Sequence, residues 1–107
     1  MLRARLAPLT AIGEGELRAF AVSGLTWPVL AGLVEGELIA IAGVCPHEDV
    51  SLADGELVGI RLTCPGHGYQ FDIRTGRCRH DPDLILRRYP ATIVDGEVWI
   101  ELIKPPG

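Results

Sequence analysis

Two short stretches constrain this chain more than any others, "VCPHED" and "TCPGHGYQFD". The first holds Cys45 and His47 on either side of Pro46. The second holds Cys64 and His67, separated by Pro65 and Gly66. Together they read C-x-H, sixteen residues, then C-x-x-H. Two thiolates and two imidazoles can hold a metal. Each pair sits on a loop leaving a strand, so a fold that uses all four must deliver its ligands from two loops.

Two metal readings compete on the residues alone. Zinc takes Cys and His ligands tetrahedrally, but structural zinc sites usually separate a pair by two to four residues. Cys45 and His47 have one residue between them. A cluster of two irons needs two ligands at each iron. Cys45 and Cys64 can share one, His47 and His67 the other.

The rest of the chain predicts an all-β fold. Strands are expected at 2–6, 16–22, 28–34, 37–43, 57–63, 69–73, 85–94 and 97–103, in short runs rich in Val, Ile and Leu. Glu35-Gly36, Thr75-Gly76 and Asp95-Gly96 mark turns, with Asp95-Gly96 the strongest hairpin signal. "EGEL" at 14 and 35, "DGEL" at 54 and "DGEV" at 95 recur at unequal spacings, so they mark turn glycines and not a repeat. No ten-residue stretch carries a capped helical stripe. An antiparallel β-sandwich or small barrel follows by elimination.

Composition narrows the function classes. At 107 residues, with 48% hydrophobic and 22% charged residues, the chain has the make-up of one ordinary globular domain. There is no run of eighteen apolar residues to span a membrane. The first residues do not read as a secretion signal, and a cytoplasmic location is expected. A net charge of −4 argues against a nucleic-acid partner. Three cysteines, an odd number, make a disulfide framework a poor explanation and favour metal or redox chemistry.

With those features in place, the sequence resembles the Rieske family of [2Fe–2S] proteins, and within it the small ferredoxins of multicomponent bacterial oxygenases. The resemblance rests on "CPH" at 45–47, "CPGHGYQFD" at 64–72, "RTGR" at 74–77 and the closing hairpin at Asp95-Gly96. It implies a sandwich of three small antiparallel sheets with one cluster held between two loops at one end. The His side would face solvent and the Cys side would be buried. Residues 1–107 would form a single Rieske domain, its cluster-binding part at about 43–84 inserted in a β-sandwich base. Cys45, His47, Cys64 and His67 would be the ligands. High-potential relatives join the two loops by a disulfide, and the corresponding positions here are Val50 and Gly66. Those relatives also carry hydroxyl donors where this chain has Tyr69 and Phe71, so a low potential is expected.

The implied activity is one electron in and one electron out, with no catalysis of the chain's own. Electrons would come from a flavin-containing, NADH-dependent reductase. They would go to a terminal oxygenase, either a diiron monooxygenase acting on aromatic hydrocarbons or a ring-hydroxylating dioxygenase; "HDPDLILRRYP" resembles the ferredoxins of toluene-type monooxygenases, which favours the former. The alternatives are a Rieske-like small subunit of nitrite reductase or another complex, and a structural zinc module.

Other residues are read more plainly. Cys78 is a small structural residue, and His80 a surface or loop histidine without a paired cysteine at motif spacing. Phe71 and Ile73 are core beneath the cluster. Trp27 and Trp99 are packing residues. Glu48, Asp49, Asp54 and Glu56 form a solvated acidic flank, with docking to a basic partner as its functional alternative.

Overall fold

The run "VLAGLV" is apolar at every position, which a strand tolerates only when both of its faces are covered. In the computed structural model, which describes residues 2–66 and 68–102, that strand lies in the middle layer of the molecule. Among the described residues, nine strands build three antiparallel sheets. In chain order the strands are β1 (Leu2–Pro8), β2 (Arg18–Phe20), β3 (Val29–Val34), β4 (Glu37–Ala42) and β5 (Glu56–Val58). They continue with β6 (Arg61–Thr63), β7 (Gln70–Asp72), β8 (Ala91–Val94) and β9 (Glu97–Leu102). The sheets are ordered β1-β9-β8, β2-β3-β4 and β5-β6-β7.

The β2-β3-β4 sheet separates two cores, and its alternation says which residue serves which. Val29, Ala31 and Ala40 point into one core with Leu6, Val98 and Ile100 from the β1-β9-β8 sheet. Leu30, Val34, Ile39 and Ile41 point into the other, with Leu62 and Phe71 from the β5-β6-β7 sheet. The period of two thus turns one continuous apolar strand into the wall of both cores. Cys45, Cys64 and Cys78 belong to the second core.

The expected hairpins at Glu35-Gly36 and Asp95-Gly96 are present. All four residues have positive φ (52° and 78°, 51° and 76°), the signature of the tight turn that matches strand twist. Two expectations need correction. The strand read at 57–63 is a hairpin: β5 and β6 pair Leu57 with Leu62 and Val58 with Arg61, turning at Gly59, whose φ is 60°. The strand read at 85–94 begins only at Ala91, after Pro90. Residues 85–88 make isolated bridges, Ile85 to Arg77 and Arg88 to Ile41.

Gly32 is required by close approach. The chain at Gly13–Glu16 crosses it, with Leu33 N–H donating to Gly13 O at 2.8 Å and Gly15 N–H to Leu33 O at 2.7 Å. A Cβ at position 32 would run into the Glu16 carbonyl oxygen. Gly32→Ala is therefore expected to destabilise the fold by about 1–3 kcal/mol, the cost of overpacking against backbone. Urea unfolding checks this; an unchanged midpoint would mean that the crossing segment yields freely.

Candidate metal centre

Both candidate loops are made the same way. In the first, Cys45 N–H donates to Val50 O at 3.0 Å, and a bridge between Val44 and Ser51 closes the base. In the second, Cys64 N–H donates to Tyr69 O at 2.8 Å, and Gly68 N–H to Cys64 O at 3.1 Å. Each cysteine thus opens a loop tied to the carbonyl five residues on. Gly68 takes φ 73°, a conformation that favours glycine.

The loops bring the two thiols together. Cys45 is 2% exposed and Cys64 1%, both at the edge of the core that holds Phe71 and Ile73. Burial pushes the Cys45 thiol up, and the facing Cys64 thiol adds to the rise by hydrogen bonding and charge. Backbone N–H groups of His47 and Glu48 donate to the same sulfur and oppose that rise. A buried thiol pair, with burial pushing the Cys45 thiol up and N–H donors already aimed at its sulfur, suits a cationic metal centre that would stabilise thiolate.

His47 stands on the solvent side of its loop, exposed, with its ring centroid 4.3 Å from that of Tyr69 in an edge-on contact. His67, the fourth ligand expected from the sequence, lies outside the described residues. Among the described residues no group of three or more metal-ligating side chains converges.

Val50 and Gly66 face each other across the loops. A Cβ at Gly66 would lie 3.4 Å from Cγ2 of Val50, and it would run into the carboxylate of Glu48. Glu48, half-buried here, therefore packs over the second loop, unlike the exposed Asp49, Asp54 and Glu56.

The sequence pattern of the Rieske [2Fe–2S] domain matches residues 4–90. The chain belongs to the Rieske family. Its cofactor is accordingly a Rieske [2Fe–2S] cluster, and the buried thiol pair and sulfur-directed N–H groups fit that group. Similar solved structures agree with the three-sheet architecture. A ferredoxin of Sphingomonas yanoikuyae B1 is 32% identical, with 92% of this chain and 97% of that one covered and a TM-score of 0.80. The ferredoxin of carbazole 1,9a-dioxygenase from Nocardioides aromaticivorans IC177 is 26% identical, covering 94% and 97%, with a TM-score of 0.78. A chain from the complex of reduced oxygenase and oxidised ferredoxin in carbazole 1,9a-dioxygenase is 25% identical, covering 92% and 91%, with a TM-score of 0.77. No curated protein sequence matches. No helix of the Rieske chain, among the described residues, is long and apolar enough to cross a membrane.

One sequence reading changes. His80 does have a cysteine at motif spacing: Cys78 Sγ accepts the His80 N–H at 3.4 Å. Cys45 Sγ accepts from His47 in the same way, so the C-x-H turn occurs twice in this Rieske chain. Trp27, read as a packing residue, is half-buried and lines a groove of about 320 Å³ with Val44, Pro46, Ile85, Arg87 and Tyr89, beside the first loop. Tyr69 went unread as a partner of His47, because contacts across loops leave no mark in local spacing. Phe71 and Ile73 are core residues, each fully buried.

Proposed function

We propose that this chain is the electron-carrying ferredoxin of a multicomponent oxygenase and catalyses no reaction itself. The observation that carries the reading is the asymmetry of the site: a buried thiol pair behind an exposed imidazole at the end of two loops. Cys45 and Cys64 would hold one iron, and His47 and His67 the other. When bound, the cluster supplies a site that accepts and returns a single electron. The protein's own part is to shield the sulfur side with Phe71 and Leu62, to aim N–H groups at sulfur, and to leave the imidazole edge open to a partner.

The proposed domain is the whole of 1–107, with 43–84 as the cluster-binding part. Electrons would arrive from a flavin-containing, NADH-dependent reductase in the cytoplasm. They would leave for a terminal oxygenase acting on an aromatic hydrocarbon. The similarity to ferredoxins of carbazole 1,9a-dioxygenase favours a Rieske dioxygenase over a diiron monooxygenase as that partner.

Anaerobic stopped-flow mixing tests the role. The reduced protein, mixed with an oxidised terminal oxygenase of the carbazole-dioxygenase type, is expected to reoxidise within the mixing experiment. It should also restore turnover from NADH when that system's reductase is added. A protein that carries the cluster but exchanges electrons with neither component would refute the carrier role.

A further inference from the structure

His47 has an exposed ring on a loop at the tip, a place where burial does little to choose its orientation. Its backbone is set by the N–H donated to Cys45 Sγ, but the torsion that turns an imidazole is broad. We propose that Tyr69 is the positioning residue for His47, its ring fixing the plane of the imidazole from the opposite loop. This inference rests on the reading of His47 as a cluster ligand.

The geometry supports each part. The two ring centroids are 4.3 Å apart at 64°, a close edge-to-face contact. Tyr69 can act as a fixed wall because its own placement is over-determined. Its carbonyl accepts the Cys64 N–H at 2.8 Å, and its half-buried side chain packs against the core that contains both thiols. Behind it stands His80, with ring centroids 6.0 Å apart. The His80 N–H donated to Cys78 Sγ fixes the backbone that carries that ring. The contact therefore clamps the first loop to the second through flat ring surfaces. The clamp needs the ring and not the hydroxyl, and that distinction makes it testable.

The probes are pulsed EPR of the reduced holoprotein, which reads nitrogen couplings of bound imidazoles, and cluster loss under a fixed excess of an iron chelator. Tyr69→Phe is expected to match the wild type in both. Tyr69→Leu keeps apolar bulk but loses the flat edge; it is expected to spread the nitrogen couplings of one imidazole and to lose cluster about tenfold faster. That is the lower end of the effect of removing a group that orients a metal-ligating histidine. A Tyr69→Leu protein that folds by circular dichroism yet never loads iron, beside a Tyr69→Phe protein that loads fully, also supports the proposal. Unchanged couplings and loss rate in Tyr69→Leu would overturn it, as would equal damage in Tyr69→Phe and Tyr69→Leu. If the wild type itself shows no imidazole couplings, the ligand assignment fails; if it does and Tyr69→Leu matches it, only the positioning role fails.

Discussion

Cys64→Ser is expected to abolish iron binding and to leave a colourless protein. The substitution leaves the buried Cys45 thiol without its partner and puts a hydroxyl at a position that is 1% exposed, beside Phe71 and Leu62. Because the cluster binds only the folded chain, its loss also removes folding free energy. The melting midpoint should fall by roughly 10 °C or more, since each kcal/mol lost moves a domain of this size by about 4–8 °C. Cys78→Ser is the matched control. Cys78 lies in the same core but on neither of the two loops that carry the thiol pair, so this variant should keep its iron. Iron analysis and calorimetry on both variants check the pair. Iron loss in Cys78→Ser would reassign the ligand set.

The second large effect concerns the midpoint potential, expected near the low end of the Rieske range at roughly −150 mV. The structural reason lies around the thiols. The same burial that pushes the Cys45 thiol up also disfavours one more negative charge on the centre. Phe71, fully buried in that core, offers no hydroxyl to sulfur. The donors seen at Cys45 are the backbone N–H groups of His47 and Glu48. Direct voltammetry reads the value, and a midpoint above zero would mean that donors to sulfur have been missed.

Much of this architecture could be read from the chain because its signals are local. Positive φ at Asp95-Gly96 and Glu35-Gly36 is written in the residue types, and period-two apolar runs mark strands. The misread segments are those where a local signal is ambiguous. "LVGIRLT" looks like one apolar strand, yet Gly59 turns it into a hairpin that packs Leu57 against Leu62. In 85–94 the run of Ile, Leu and Val hides the break at Pro90. At the metal centre, residue types and spacing named Cys45, His47 and Cys64 as candidates, and the resemblance implied a buried Cys side and a solvent-facing His side. The Tyr69 clamp and the fold of Glu48 over Gly66 depend on side chains meeting across two loops, and no sequence interval records such contacts.

The central claim is that these two loops hold a [2Fe–2S] cluster through both cysteines and both histidines. Metal and acid-labile sulfide analysis of the purified protein from iron-replete cells, together with EPR after reduction by dithionite, tests it most directly. The account predicts a coloured protein with about two irons and two sulfides per chain, and a one-electron reduced signal coupled to imidazole nitrogen. A colourless, correctly folded protein holding stoichiometric zinc would contradict it.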